Sequence, residues 1–461
     1  MKTKIFICIL LVLLIFSRFY NLNKTARFLW DESMDLVKVH ELFLHPKLTL
    51  IGPIPEDNTK VFSSLTYYLF LPFTIIFKFT PISTAYSTAF FGITTIILLN
   101  ILLHRLKKFN LVLALVSIIF LPLLTSSRWA WNPNFIPFWQ ALGFILLYTS
   151  IPFHFVLSGL IFGLTIHQHW YALFSCLGLI FFLIFKFKNR RYVLQFVIGL
   201  FLSILPFIIF DLTHPPGLFI TRMLFFSPLS PTKTILFAPI LSKLIHLPLN
   251  FIAYFFGTQN FVIEILILII IIIGLFRSSF NSLLIPVFFQ IIGLSLISGD
   301  TFTHYYLPAA LPFLLWLFLN YKNYLSKLLL LIIAILFLFN IRSTFYNTDW
   351  TNNIEATNSI VKYITLNYSS NFNILVIGSP DPNTKGRRYR DLLSLNDIHP
   401  ASADDYQNID TLFVISYQSD WTKLSRDPAY ELDNFRVGVP ITSINIPNSN
   451  WIVYQLSKNN R

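Results

Sequence analysis

Long apolar stretches alternate with short polar ones through residues 1–341, and this pattern predicts a bundle of membrane-spanning helices. A helix that crosses the hydrocarbon core of a bilayer needs about 20 mainly apolar residues. About eleven segments approach that length and are predicted as transmembrane helices: 4–20, 82–103, 110–126, 136–151, 153–168, 170–186, 192–210, 260–276, 281–298, 305–320 and 327–341.

Two other regions fit the membrane interface better than a span. If 61–79 crossed the membrane, the basic cluster at 104–108 would face outward, against the usual distribution of basic loops. We therefore interpret 61–79 as a helix lying in the outer interface. The region 215–259 holds Arg222, Lys233 and several prolines, and we interpret it as an outer loop with interfacial helices.

The pattern changes near Asn347, where charged residues and asparagines become frequent. The runs 372–377 and 411–417 read as buried strands, and the prolines and glycine between them indicate loops. We predict two domains, a transmembrane domain over 1–341 and a soluble α/β domain over 342–461. The predicted fold class is an α-helical polytopic membrane protein with a small C-terminal α/β domain outside the cytoplasm.

Composition and charge support a membrane protein. The chain is 55% hydrophobic and 12% charged, whereas soluble domains carry about 25% charged residues. The net charge of +13 is uneven, with 23 basic and 9 acidic residues in 1–341 but 11 and 12 in 342–461. Short basic loops explain the excess. No basic face with interleaved aromatic residues stands out, so we expect no nucleic-acid partner.

The basic loops also predict the orientation of the chain. With the N terminus inside, the clusters at 104–108, 186–191 and 322–327 all lie in the cytoplasm. Lys2, Lys4 and the apolar run after them indicate a retained signal anchor, because no small-residue cleavage site follows. An odd number of spans then places the tail outside, as in a multi-pass protein of the cytoplasmic membrane.

Acidic residues of the membrane part gather on the predicted outer side. None of them falls in a cytoplasmic loop or in the middle of a predicted span, so acid chemistry is expected on the outer face. Six lie in the first outer loop and three at outer ends of spans: Asp31, Glu32, Asp35, Glu41, Glu56 and Asp57, then Asp211, Glu264 and Asp300.

Asp31 and Glu32 form a carboxylate pair at the start of a predicted helix, directly after an apolar run. Partial desolvation at the interface and a neighbouring like charge can raise the pKa of one carboxyl group toward that of a general base. The alternative is that Asp31 only caps the helix.

The residues around this pair resemble a known family. The run 28–34, FLWDESM, is similar to the first-loop signature of the GT-C glycosyltransferases, which include the aminoarabinose transferases of lipid A and the protein O-mannosyltransferases. Further segments of similar kind follow in order: 64–69 (SLTYYL), 131–133 (WNP), 210–214 (FDLTH) and 304–308 (HYYLP).

The resemblance implies transfer of a sugar from a polyprenyl phosphate to a lipid, glycan or protein acceptor at the outer membrane face. It implies that Asp31 is the general base and that Glu32 is its partner or the ligand of a divalent metal ion. Many relatives carry a second acidic residue where this chain has Asn132. Because an amide cannot act as a base, Asn132 is expected only to orient donor or acceptor.

Candidate phosphate ligands are cationic side chains on the outer face. Arg222 is preferred, because a guanidinium matches phosphate oxygens. Arg128, Lys243 and His304 are the other candidates, and anchoring at lipid headgroups is the alternative for each. Tyr305 joins His304 as a predicted substrate contact.

Asp211 and His214 are close enough in sequence to pair, either near substrate or simply at a capped end of a span. His167 and His169 could ligate a metal from an irregular loop, although this spacing does not share one helix face. The arginines at 387, 388 and 390 are interpreted as a solvated loop.

A lipid or polysaccharide transporter is the main alternative, and a polysaccharide polymerase or ligase is another. Transporters place charges at the bilayer midplane and show repeated halves. Neither feature is visible here, which favours the enzyme. The tail either recognises the acceptor or covers the cavity.

Overall fold

A computed structural model of the chain describes residues 2–54, 61–149, 151–225, 237–277, 281–297, 300–346, 353–369, 371–378, 385–435 and 440–458. The chain forms two compact units. Unit 1 comprises Met1–Tyr20, Leu48–Leu69 and Ser87–Thr344, and unit 2 comprises Asn21–Lys47, Phe70–Tyr86 and Phe345–Arg461. Unit 2 thus combines the tail with two earlier segments, and one of these contains most of the first predicted outer loop.

Helices make up most of the described residues before 347, as the apolar pattern predicts. They are α1 (Lys2–Phe19), α2 (Leu22–Thr25), α3 (Trp30–Leu44), α4 (Leu65–Ile76), α5 (Pro81–Arg105), α6 (Leu111–Ile119), α7 (Leu121–Ser126), α8 (Ile136–Leu147), α9 (His154–Gln168), α10 (Ala172–Phe187), α11 (Arg190–Thr213), α12 (Ile220–Phe225), α13 (Phe237–Phe256), α14 (Phe261–Arg277), α15 (Ile285–Ser295), α16 (Leu307–Leu319) and α17 (Tyr324–Phe345). Short 3₁₀ helices cover Asn132–Phe135, Asn281–Leu284 and Thr303–Tyr306.

Within the described residues, three helices are long and apolar enough to cross a membrane alone, namely α5, α11 and α17. A fourth span results if the bent pair α13–α14 is counted as one. The predicted count of about eleven membrane spans therefore remains a prediction. The difference has a physical cause: prolines and 3₁₀ turns divide many apolar segments into shorter helices, as where Phe120 and Pro122 separate α6 from α7.

The predicted outer loop 215–259 contains a long helix, and its interfacial position remains a prediction. Its helix α13 runs for 20 residues and meets α14 at an angle of 97°. Gly257 ends α13 with a positive φ of 66°, which glycine adopts without strain. Asn260 then starts α14, since its side chain accepts the backbone N–H of Val262 at 3.0 Å. Residues 226–236, including Lys233, lie outside the described residues.

Small residues let α9 and α11 pack closely. Gly159 and Gly163 are four residues apart on α9, and Gly199 and Ser203 have the same spacing on α11. A Cβ at Gly159 would overlap the carbonyl oxygen of Phe196, and a Cβ at Gly199 would overlap that of Val156. Close backbone approach through small residues is a principal source of helix association in lipid.

Unit 2 contains a four-stranded sheet with the order β1-β2-β4-β3. Its strands are β1 (Phe372–Ile377), β2 (Thr411–Ser416), β3 (Thr442–Asn445) and β4 (Ile452–Ser457). The first two strands are parallel and the other pairs antiparallel. Helices α18 (Ile354–Asn367), α19 (Arg387–Ser394), α20 (Trp421–Leu424) and α21 (Tyr430–Phe435) complete the unit. The predicted α/β character and both predicted strands are confirmed.

The first-loop segment is tied into unit 2 by backbone contacts. The Asn21 side chain donates to the Phe345 carbonyl at 2.8 Å. Arg27 and Asn353 form an isolated antiparallel bridge immediately before α18. These contacts explain why residues far apart in sequence belong to one compact unit.

Replacing Gly159 or Gly199 by alanine is expected to lower the melting temperature of the detergent-solubilised protein, because the added methyl group must displace a backbone carbonyl. Overpacking of this kind costs about 1–3 kcal/mol. Gly274→Ala is the control, since its Cβ would lie 3.5 Å from the Trp316 ring in ordinary contact. Equal melting temperatures for all three variants would contradict the close α9–α11 packing.

Candidate functional site

The predicted catalytic pair lies in the first turn of α3, within unit 2. Glu32 is 3% exposed, and its Oε2 accepts the backbone N–H of Leu29 at 2.8 Å. This bond satisfies one of the N–H groups that every helix start leaves unpaired. Asp31, one position earlier, is half-buried. Glu32 therefore caps the start of α3, and the two roles considered for Asp31 remain predictions.

Helix α19 of the C-terminal region contacts the residues that precede and follow this acidic turn in the sequence. A buried guanidinium, that of Arg388, donates from Nη1 to the Phe28 carbonyl at 3.1 Å. The Asp391 carboxylate accepts the Ser33 hydroxyl at 2.7 Å. Because positions 388 and 391 lie on one helix face, a single face of α19 contacts the residues that flank Trp30, Asp31 and Glu32.

The interpretation of the tail arginines as a solvated loop is wrong for two of them. Arg388 is 3% exposed, and Arg390 donates to the carbonyl oxygens of Lys385 and Ala401 at 2.9 and 2.8 Å. Only Arg387 keeps a largely exposed side chain, with an ion pair to Asp391 at 3.8 Å. Charge alone did not reveal this arrangement, because carbonyl acceptors leave no pattern in the sequence.

The other seven predicted site residues belong to unit 1. Asn132 is buried, and its Nδ2 donates to the Gln168 carbonyl at the end of α9. Gln168 in turn accepts the Thr66 hydroxyl at 2.7 Å. An aspartate at position 132 would face this carbonyl with a second acceptor. The amide therefore suits this position better than a carboxylate would.

The Arg128 guanidinium binds backbone carbonyl groups at the end of α1. Its Nη1 and Nη2 donate to the carbonyl oxygens of Ser17 and Tyr20 at 2.6 and 2.8 Å. A cation at a helix C terminus is favourable, because the last carbonyls have no partner within the helix. This geometry favours a capping role for Arg128 over phosphate binding.

Asp211 supports the short helix that carries Arg222. Its carboxylate accepts the backbone N–H groups of Leu218, Phe219 and Thr221 at 2.8 to 3.0 Å, at the start of α12. His214 bonds the Thr213 hydroxyl at 2.9 Å and stacks on Phe210. Among the described residues the two make no bond with each other, so the expected pairing is not formed.

His304 and Tyr305 lie in an aromatic cluster of unit 1. The His304 ring centroid is 4.2 Å from that of Trp131, which precedes Asn132, and 5.2 Å from that of His169. Tyr305 lies 4.5 Å from Tyr171. The structure thus brings the motifs at 131–133, 167–170 and 304–308 together, although they are far apart in sequence.

Buried glutamines hold the 3₁₀ turn that carries His304. Gln290 donates to the Tyr305 carbonyl at 2.7 Å and accepts the Ser175 backbone N–H at 3.1 Å. Gln140 donates to the Pro308 carbonyl at 2.6 Å. Neither glutamine was predicted as a site residue. Their signal was available as uncharged polar residues inside apolar helices, where an unpaired backbone carbonyl is costly.

His167 is a structural residue and not a metal ligand here. Its Nδ1 lies 3.0 Å from the Ser63 hydroxyl and its Nε2 lies 2.8 Å from the Ser203 carbonyl, so both ring nitrogens are occupied. Across the described residues, no group of three or more His, Cys, Asp or Glu side chains is arranged to hold a metal ion. Glu56 and Asp57 lie outside the described residues.

The apolar helices, the carboxylate pair in the first turn of α3 and the small C-terminal sheet together form a fold that solved structures share. Two similar solved structures are those of ArnT from Cupriavidus metallidurans, one bound to undecaprenyl phosphate and one in the apo state. Both have a TM-score of 0.57, at 11% and 12% identity. The match covers 98% of this chain and 98% and 97% of those chains. No family model and no curated protein matches the sequence.

Asp391 predicts a pH dependence for unit 2. Burial raises the pKa of its carboxyl group above the ordinary value, although the bond from Ser33 opposes the shift. The folded state therefore keeps the proton at a higher pH than the unfolded state. Protonated Asp391 therefore stabilises the folded state fully below about pH 3.9, the pKa of an unfolded aspartate. This stabilisation is lost as the pH rises through the raised pKa of the folded state.

Asp391→Asn should accordingly flatten the decline in melting temperature over that pH range, measured by thermal unfolding of the full chain in detergent. Asp397→Asn changes an exposed carboxylate on the loop after α19 and serves as the control. If the Asp391→Asn and Asp397→Asn profiles coincide with the wild-type profile, Asp391 is not the titrating group.

Proposed function

We propose that this protein transfers a sugar from a polyprenyl phosphate to an acceptor at the outer face of the cytoplasmic membrane. The main observation behind this proposal is the ordered acidic turn at the start of α3, formed by Trp30, Asp31 and Glu32. The fold shared with the ArnT structures supports it. In the reaction, an acceptor oxygen or nitrogen bonds to the anomeric carbon as the bond from that carbon to the phosphate oxygen breaks. Polyprenyl phosphate leaves and its tail remains in the bilayer.

Asp31 acts as the general base in this proposal. It is half-buried, so an acceptor can reach its carboxylate while part of its hydration is lost. It takes the proton from the attacking group. General-base catalysis contributes about 10²- to 10⁴-fold to a rate.

Glu32 positions Asp31 by fixing the helix turn. Its bond to the Leu29 N–H and its burial hold the backbone of Trp30 and Asp31 in one conformation. A divalent metal ion on Glu32 is the alternative role, and such an ion would stabilise the charge on the departing phosphate.

Arg222 is the proposed phosphate ligand. Arg222 lies half-buried on α12, whose first turn is fixed by Asp211. A guanidinium can hold two phosphate oxygens at once, which suits a departing phosphomonoester.

The aromatic cluster around His304 and Trp131 is a suitable wall for the donor sugar. Pyranose rings present apolar C–H faces that pack on aromatic rings, and His304 adds a hydrogen-bonding group beside them. Lipids are expected partners throughout the apolar surface, and the C-terminal sheet is proposed to lie outside the cytoplasm.

One observation bears on the alternative of a lipid transporter. The bent pair α13–α14 resembles the interrupted helices of transporters. An experiment can distinguish sugar transfer from lipid transport, because a purified transferase should consume a polyprenyl-phosphate sugar without any ion gradient.

Asp31→Asn is expected to reduce the transfer rate by at least about 100-fold, because an amide cannot accept the acceptor's proton. The measurement is release of polyprenyl phosphate from lipid-linked sugars by the purified protein. Glu41→Gln is the matched control: it lies on the same helix, is exposed and pairs only with Lys38 among the described residues. Wild-type turnover by Asp31→Asn would remove the base assignment.

Arg222→Ala is expected to raise the KM for the lipid-linked donor by roughly tenfold or more, since a charged hydrogen bond is worth about 1.5–3 kcal/mol. Arg222→Lys should recover part of this loss by restoring the charge without the fork. Steady-state kinetics with varied donor measures both. An unchanged KM in Arg222→Ala would assign the arginine to headgroup anchoring.

A further inference from the structure

A cavity of about 570 Å³ opens in unit 2 near the carboxyl end of β2. It is lined by Tyr417, just after that strand, and by the connection between β3 and β4. In α/β sheets, ligands characteristically bind outside the carboxyl ends of parallel strands. The volume falls within the range of small-molecule sites. None of the chemistry assigned to Asp31 or Arg222 uses this cavity.

Two stacked aromatic residues form one wall of the cavity. The ring centroids of Tyr417 and Trp451 are 3.9 Å apart and the planes are inclined by 26°. Trp451 is 1% exposed, whereas Tyr417 is half-buried. Tyr417 therefore carries a rigid aromatic surface, backed by the indole, on which an apolar ring face can pack.

Apart from Ile452, the remaining wall is polar and uncharged. Asn445, Asn450 and Ser419 are exposed, and their side chains make no hydrogen bond within the described part of the chain. Each amide offers a donor and an acceptor together. No Asp, Glu, Lys or Arg lines this cavity. An aromatic surface with free amide and hydroxyl groups and no charge suits a neutral ligand rich in hydroxyls.

The segments that carry these groups are already ordered. The Tyr454 hydroxyl donates to the Gln418 carbonyl at 2.7 Å and fixes the loop after β2. The Ser449 hydroxyl donates to the Ile446 carbonyl at 3.0 Å and accepts the Trp451 N–H at 3.1 Å. Binding thus requires little ordering of the backbone, which reduces its entropic cost.

The cavity wall also connects to the acidic turn. The Arg388 guanidinium carbon lies 5.9 Å from the centroid of the Trp451 ring. The same guanidinium donates to the Phe28 carbonyl, three residues before Asp31. The buried Arg388 side chain therefore contacts both the aromatic wall of the cavity and the segment that holds the proposed base.

From these observations we infer that the cavity binds a neutral saccharide and serves as an acceptor subsite. The acceptor role rests on the proposed transfer function, whereas saccharide binding itself does not. The aromatic face of Tyr417 packs against the sugar ring, and Asn445 and Asn450 bond its hydroxyl groups.

The test is saturation-transfer-difference NMR and titration of the full-length protein in detergent with glucose, mannose, galactose, N-acetylglucosamine and their disaccharides. The double variant Asn445→Ala/Asn450→Ala should weaken binding roughly tenfold, through the loss of two hydrogen bonds. Both positions are exposed, so the fold should persist. Asn358→Ala, an exposed asparagine on α18, is the matched control and should bind as wild type does.

Saturable binding that falls in the double variant but not in Asn358→Ala supports the site. Absence of binding by every saccharide in the panel overturns it, as does equal affinity in the double variant. Preference for a short neutral peptide over all saccharides would also overturn it. Because no donor is present, the result is independent of transfer: binding without turnover would leave the site and remove only its acceptor role.

Discussion

The hydrogen bond between the Leu29 N–H and the Glu32 carboxylate is the constraint on which the proposed chemistry depends. A helix start leaves N–H groups unpaired and carries partial positive charge, so it stabilises a carboxylate that would otherwise be costly to bury. Glu32 satisfies the helix, and the helix in turn makes the burial of Glu32 tolerable. As a consequence, the backbone of Asp31 is fixed while its side chain stays accessible.

In unit 1, too, buried polar side chains and unpaired backbone groups satisfy each other's hydrogen bonds. Lipid offers no hydrogen bonds, so each backbone carbonyl released where a helix is interrupted needs a partner from the protein. Gln290, Gln140 and Asn132 provide such partners at the 3₁₀ turns and at the end of α9. These bonds give His304 and Trp131 a defined position, which is what a binding wall requires.

Much of the fold follows from the sequence because apolar length and alternation are local signals. The strands 372–377 and 411–416 and the helical character of every predicted span were readable in this way. The weaker strands β3 and β4 were missed, since β3 is exposed along its whole length and lacks the apolar run of a buried strand. The number of membrane crossings remains a prediction, because prolines and 3₁₀ turns interrupt helices without removing their apolar character.

The site residues also differ in whether local sequence signals could predict their roles. The acidic turn could be recognised from position and residue type, whereas the roles of Arg128, Arg388 and Asp211 could not. Each of these side chains binds backbone groups, and such partners are determined by the fold and not by the identity of any distant residue. Charge in the sequence suggested a phosphate ligand at Arg128, whereas in the structure its guanidinium binds carbonyl groups at the end of α1.

The most direct test of the account is the sidedness of the acidic turn. In a background with Cys8 and Cys176 replaced by serine, the exposed Glu41 of α3 is changed to cysteine. A membrane-impermeant maleimide is then applied to intact cells. The account predicts labelling without permeabilisation, at the outer face. Labelling only after the cytoplasmic side is opened would contradict it.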